Sequence, residues 1–458
     1  MHPYIPNSVP EIKAQMLKEI GVKSIEELYE DIPDSLRFKG EMNLPKPFLS
    51  EYGLERHVME ILGKNKTCQE NLSFLGGDTW QHYVPAICDE INSRSEFLTA
   101  YAGEPYEDHG RFQALFEYQS MMAELLDMDV MNVPTYDWGQ AASTSIRMAG
   151  RITGRKEVLV AKNISPERLA IIKNYCHPVV VVKLIEYDTK TGMLDLEDLK
   201  SKISSKTAAV YIENPSFHGI IETQGEAISE ITHKNGAISV VGADPISLGV
   251  LTPPSQYGAD IVCGDIQSLG MHMYFGGGLA GYIATRDEVE YVQEYPSRLF
   301  GITTTSVEGE HGFGDVYYDR TSFHDRVEGK EYIGTCSALW GITAGVYLAL
   351  AGPQGMQDVG QLILQKSQYA QKKISEIKGV KIPFQKSPHF KEFVVDFSAT
   401  GKTTKEVNKA LLKIGIFGGK DVSVEFPELG NCAIYCLTEI HTMEDINKLV
   451  QALKECLS

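Results

Sequence analysis

Between residues 158 and 263 one pattern recurs: a short apolar run followed by a window of helical period. The runs, at 158–161, 179–184, 208–212, 238–241 and 261–263, are rich in Val, Ile, Leu and Ala. A strand that is apolar on both faces has no solvent side, so it belongs inside a sheet covered by helices. Such alternation predicts βα units around a largely parallel sheet, an α/β class. The Gly-rich tract 276–281 then leads into Tyr282-Ile-Ala284, which predicts a further, antiparallel strand.

The flanks read differently. Residues 1–100 form a helical N-terminal arm of short helices and loops. Ser8-x-x-Glu11 and Ser24-x-x-Glu27 have capping-box spacing, Gly21 is a stop, and Pro33, Pro45 and Pro47 predict an extended stretch over 33–55. A helix is expected from about 110. The large α/β domain then spans 101–352 and closes on a helix at 338–352 that is apolar nearly all round, as buried helices are. Residues 353–458 predict a small α+β C-terminal domain. Its expected elements are a helix near 356–377, strands 393–397 and 433–438, a helix after Thr403, a turn at 416–419 and a last helix from 443.

Charge narrows the function classes. There are 43 Lys+Arg against 61 Asp+Glu, a net charge of −18. That balance argues against nucleic acid, whose phosphates need clustered cations, and against an anionic membrane surface. No run reaches the ~18 apolar residues that span a bilayer. The start, Met1-His-Pro-Tyr-Ile-Pro6, lacks the basic and apolar regions of a signal peptide, so a cytoplasmic location is expected. The cysteines are dispersed without a CxxC pair. Cys432 and Cys436 have no matching His or Cys pair nearby, so no metal site is expected.

Seven segments carry a specific resemblance. They are Phe74-Leu-Gly-Gly-Asp-Thr-Trp-Gln-His-Tyr-Val-Pro85, Ser93-Arg-Ser-Glu-Phe97, Phe112-Gln-Ala-Leu-Phe-Glu-Tyr-Gln119, Glu213-Asn-Pro-Ser-Phe-His-Gly219, Asp244-Pro-Ile-Ser-Leu-Gly249, Ala259-Asp-Ile-Val262 and Phe426-Pro-Glu-Leu429. Together they resemble the P-protein of the glycine cleavage system, and more narrowly its non-cofactor-binding half, the subunit 1 type of glycine dehydrogenase (decarboxylating). The resemblance runs from Tyr4-Ile-Pro6 to Thr438-Glu439. It implies the fold type I architecture of pyridoxal-phosphate enzymes. It also implies a partner, subunit 2, with two copies of each chain in a heterotetramer. In the family, pyridoxal phosphate on subunit 2 captures glycine and carbon dioxide leaves; the aminomethyl group passes to the lipoyl arm of H-protein.

A competent pyridoxal-phosphate site needs an Asp on the pyridine nitrogen and a Lys that forms the imine, with a helix N-terminus for the phosphate. Asp244 stands just past an expected strand, where the ring-nitrogen partner belongs. The position two dozen residues on is Ser268, and no lysine lies between Lys234 and Lys330. A hydroxyl forms no imine. Asp244 and Ser268 are therefore vestigial positions, with no catalytic and no cofactor-binding residue expected in this chain. The resemblance implies the same, since it places the cofactor lysine on the partner. Asp244 then serves as a helix cap or structural acceptor. Gly139-Gln-Ala-Ala-Ser143 could open a helix toward a phosphate, but without the lysine a strand-to-helix turn is the favoured reading. His82, His218 and His272 are more often structural than ring-stacking, and Gly276-Gly-Gly278 serves a turn as readily as a ligand.

Two stretches depart from the family pattern. Pro105-Tyr-Glu-Asp-His-Gly110 replaces a Pro-Glu-Ile-Ser-Gln-Gly turn, and Arg326-Val-Glu-Gly-Lys-Glu-Tyr-Ile333 replaces a tract carrying Thr-Ser-Asn. Both fall where contacts to a shared site are expected. They leave a second reading open: a non-catalytic scaffold or regulatory paralogue paired with a different pyridoxal-phosphate subunit. A stand-alone enzyme using Lys330 is disfavoured by the Asp244 spacing.

Overall fold

The computed structural model describes residues 9–98, 109–277, 279–296, 298–330 and 337–458. Two compact units are distinguished, residues 1–66 and 67–458. In the first, the helix Pro10–Ile20 begins on a proline, with Val9 at its N-cap and no capping side chain. Ser8, expected as the cap, lies outside the described residues. Gly21 ends the helix at φ 87°, as expected. The second expected helix is only a 3-10 turn, Glu26–Tyr29. The extended stretch stops earlier than 55, because Ser50 accepts from the Gly53 N–H and starts the helix Glu51–Leu62. No described residue of 9–66 is buried.

The second unit holds the strands β1 (Leu72–Ser73), β2 (Val130–Met131), β3 (Glu157–Ala161), β4 (Val181–Ile185), β5 (Thr207–Glu213), β6 (Ile238–Gly242), β7 (Ile261–Asp265) and β8 (Gly281–Thr285). They continue with β9 (Phe300–Thr304), β10 (His311–Asp315), β11 (Glu392–Asp396), β12 (Ile416–Phe417), β13 (Lys420–Asp421) and β14 (Cys432–Cys436). The main sheet has the order β2-β8-β7-β6-β5-β3-β4. β3 to β7 run parallel, and β8 is antiparallel to β7. This is the arrangement the apolar runs imply. Every residue of β5, β6 and β7 is buried, while edge strand β4 turns Val181 and Lys183 outward. Edge strand β2 and the hairpin β9–β10 were not anticipated. Two residues are too few to show a period, and Gly312 and Gly314 dilute the alternation in β10.

The two expected helices meet at a kink. Ala338–Ser375 runs through a break at Gly352, whose φ is 59°, followed by Pro353. Beyond it, β11, β14 and β13 form an antiparallel sheet, and β12 pairs in parallel with β1. Capping boxes at Thr403/Glu406 and Thr442/Asp445 start the helices Thr404–Lys413 and Met443–Leu457. This layer has its own core, including Phe393, Val395, Leu411, Tyr435, Leu449 and Leu453.

Close backbone approach fixes the two layers against each other. Gly219 sits at φ +79°, and a Cβ there would lie 1.8 Å from the Glu392 carbonyl oxygen. The Phe390 N–H donates to the Gly219 carbonyl at 3.0 Å. At Gly249 a Cβ would lie 2.1 Å from the Met356 carbonyl oxygen. Two of the family-like segments thus end on glycines that no larger residue can replace. Gly219→Ala combines a left-handed backbone with a backbone collision and should cost about 3 kcal/mol of stability. Urea unfolding measures it; a variant as stable as the parent would show that the β11 backbone simply moves away.

Candidate functional site

Asp244 follows β6 and caps the 3-10 turn Pro245–Gly249. Its Oδ1 accepts from the Ile246 N–H at 3.2 Å and from the Ser268 hydroxyl at 3.3 Å. The two positions singled out from sequence are therefore in contact. Its Oδ2 faces the Lys391 ammonium at 2.7 Å, an ion pair without the alignment of a hydrogen bond. Lys391 enters from just ahead of β11. It is 2% exposed and Asp244 3%, so this is a buried charge pair. The ammonium also stands 3.9 Å over the centre of the Trp80 ring and 2.9 Å from His82 Nε2. An ammonium has only donors, so Nε2 accepts and His82 Nδ1–H is left to donate to Glu439, 2.8 Å away. The other Glu439 oxygen accepts from the Tyr83 N–H at 2.6 Å. Burial alone would raise the Glu439 pKa, but His82 and the Tyr83 amide outweigh it and hold it below the usual range.

A second buried network flanks the first. Arg168, on the helix Pro166–Cys176, grips Glu213 with two parallel hydrogen bonds of 2.6 and 2.8 Å. It reaches Asp78 at 2.5 Å and lies 4.2 Å over the Trp138 ring. Trp138 Nε1–H donates to the Tyr211 hydroxyl, which donates to Glu213. Burial would lower the Arg168 pKa, yet Asp78 and Glu213 hold it above its ordinary value. Asp265, at the end of β7, has only the Gln267 N–H against its carboxyl among the described residues. Burial pushes it up to about 8.

The other expected positions have structural partners. Gly139–Ser143 opens the helix Trp138–Thr153, but Asp137 already accepts from the Gln140 N–H at 2.7 Å, so a carboxylate occupies the anion position. His218 is buried among Tyr187, Phe384 and Phe426, and burial lowers its pKa to about 3. His272 is exposed beside Asp89 at 3.1 Å. Gly276 ends a 3-10 turn, and Gly278 lies outside the described residues. Lys330 pairs with Glu294 at 2.6 Å. Cys432 and Cys436 are buried in β14, and burial pushes the Cys432 thiol up to about 12. Among the described residues, no three His, Cys, Asp or Glu side chains are grouped to hold a metal. Residues 105–108 and 331–333 of the two departing stretches lie outside the described residues; Arg326–Glu328 forms a 3-10 turn.

Sequence reasoning sought Asp244's partner downstream within the large domain and missed Lys391. One signal was present. Lys391 and Glu392 head an apolar strand that has no solvent face to receive them. Trp80 and Arg168 were missed in the same way, since each meets its partner only through the tertiary fold.

Pyridoxal phosphate does not fit this pocket. Position 268 has no amine, and the Asp244 oxygen that would face a ring nitrogen faces Lys391 instead. The free space between Trp80, Trp138, Arg168 and Lys391 is about 20 Å³, room for one water.

Sheet order and layers define a class: the fold type I architecture of pyridoxal-phosphate enzymes. Solved structures of a Burkholderia pseudomallei sphingosine-1-phosphate lyase (12% identity, 93% of this chain and 94% of that one, TM-score 0.66) and a NifS-like protein (13%, 84% and 99%, TM-score 0.61) share it. A solved glycine decarboxylase (P-protein) of the glycine cleavage system, in inhibitor-bound form, matches far better. It has TM-score 0.88 and 33% identity, with 99% of this chain and 100% of that one covered. The glycine cleavage system P-protein family model matches residues 2–453. The chain belongs to that family. Among its relatives are probable glycine dehydrogenase (decarboxylating) subunit 1 proteins of Staphylothermus marinus and Pyrococcus abyssi. The first is 41% identical over 100% of this chain and 98% of the relative, the second 40% over 99% of each.

Two outcomes follow from the buried charges. Arg168→Met leaves Glu213 and Asp78 without their cation and should cost about 3–5 kcal/mol in urea unfolding. Adding Glu213→Gln should return part of that loss; a double variant no better than the single would rule out charge as the cause. Asp265 has a folded pKa of about 8, above its unfolded value near 3.9. Its contribution is fully present below about pH 4 and fades as pH rises through 8. Asp265→Asn should flatten the fall in parental stability between pH 6 and 9. Parallel pH profiles for variant and parent would refute the shift.

Proposed function

We propose that this chain is the cofactor-free half of glycine decarboxylase. In this reading it works with a lysine-bearing subunit 2 that carries the pyridoxal phosphate. The complex decarboxylates glycine and delivers the aminomethyl group to lipoyl H-protein. Two copies of each subunit in a cytoplasmic assembly complete the proposal. Family membership along the whole chain supports the glycine assignment. One observation carries the cofactor-free assignment: Ser268 stands at the imine position, and Lys391 holds the carboxylate that a pyridine ring would need. This chain's own residues then shape and brace its half of the pair; none of them is assigned a step of bond chemistry. The named relatives carry no scaffold or regulatory description.

Two measurements test this together. The purified chain, mixed with pyridoxal phosphate and borohydride, should take up no stoichiometric pyridoxyl label. Glycine-dependent exchange of labelled carbon dioxide should stay at baseline for either subunit alone. It should rise when both are combined with H-protein. A one-to-one label on this chain would sink the cofactor-free assignment. A mixture that stays at baseline would sink the glycine one.

A further inference from the structure

We infer that Asp244, the Trp80 ring and His82 Nε2 form a primary-ammonium site whose resident ligand is the chain's own Lys391 side chain. The inference stands on the pocket's geometry and does not depend on the glycine reading. An ammonium concentrates its charge on one compact nitrogen, and three electron-rich groups surround it. A carboxylate oxygen lies at 2.7 Å, an imidazole nitrogen at 2.9 Å, and an aromatic face at 3.9 Å. All four residues are at least nine-tenths buried. His82 is fixed as an acceptor because Glu439 takes its Nδ1–H. The pocket is therefore arranged for a compact cation. A pyridinium has one N–H and a flat ring, and could meet only one of the three groups.

A lysine is used where its stem can be buried and its head paired. Phe390 and Phe217 line the same pocket, and the Lys391 side chain is buried there. Being tethered, the ligand acts at a high effective concentration, which no free amine in solution would match. Its Cβ belongs to the C-terminal layer, whereas Asp244 belongs to the main sheet. Occupation of the site by Lys391 therefore joins those two layers through a ligand contact.

Chemical rescue tests the inference. Lys391→Ala removes three carbons and the nitrogen, which n-propylammonium restores. The variant should melt several degrees below the parent. n-Propylammonium chloride should then raise its melting temperature saturably. Sodium chloride, tetramethylammonium chloride and n-propanol at equal concentration should not. The rise should vanish in Asp244→Asn/Lys391→Ala. A response no larger than that to sodium chloride overturns the inference, as does one undiminished in the double variant. A shift produced by pyridoxal phosphate instead would overturn the ligand class. If Lys391→Ala does not accumulate folded, Lys391→Met, Asp244→Asn and their double form a thermal cycle. The inference expects the double to melt above Asp244→Asn alone; additive losses would overturn it.

Discussion

The buried ion pair between Lys391 and Asp244 is the contact on which the surrounding pocket depends. Two charges taken out of water lose several kcal/mol of solvation each, and they recover it only with close geometry and further hydrogen bonds. Here the further partners come from segments far apart in sequence: Trp80 and His82 ahead of the sheet, Ile246 and Ser268 beside Asp244, and Glu439 beyond β14. Each must be in place for the pair to be tolerated. The pair thus sets how the sheet, the segment from Phe74 to Pro85 and the C-terminal layer are arranged against one another. Gly219 and Gly249 serve the same arrangement from the backbone side, by letting carbonyls approach where a side chain would stand.

The family-like segments acquire physical meanings in this setting. Phe74 stacks on His441, Gly77 N–H donates to Glu392, Trp80 covers Lys391, and His82 and Tyr83 hold Glu439. Glu213 takes the Arg168 fork, and Gly219 closes onto β11. Phe426 packs on His218, and Glu428 accepts from the Tyr187 hydroxyl. Scaffold and pocket are thus built from the same residues. Keeping these segments preserves a fold type I frame even though the pocket itself has no room for the cofactor.

Much of the frame was legible because its physics is local. A parallel strand buried on both faces must be apolar throughout, so the runs marked β3 and β5 to β7, and the fifth run marked the half-exposed edge strand β4. The sequence also paired Asp244 and Ser268 as positions of interest, and the structure puts them in contact. The cation that meets Asp244 was not legible. Ion pairing across a fold leaves no spacing in the chain, and Lys391 is separated from Asp244 by the remainder of the sheet and the whole of the helix Ala338–Ser375. The same holds for Arg168 with Glu213 and Asp78. Short edges failed for another reason: β2 has two residues, too few for any period. The break at Gly352-Pro353, by contrast, was legible, because both residues interrupt a helix in sequence and the backbone is non-helical there.

The persistence of an aspartate at 244 follows from the same energetics. Losing it alone would strand a buried ammonium, and losing Lys391 alone would strand a buried carboxylate, each costing about 3–5 kcal/mol. For a domain whose net stability is about 5–15 kcal/mol, either step removes a large share. The pair can therefore be lost together far more easily than one member at a time. A carboxylate at the ring-nitrogen position is for that reason no sign of cofactor binding by itself; its partner decides. Here the partner is a covalently attached cation, and the cavity left beside it is the size of one water. The −18 net charge does not oppose this arrangement. The pocket supplies its own cation next to its carboxylates, so it needs nothing from a global field that would repel an anionic cofactor.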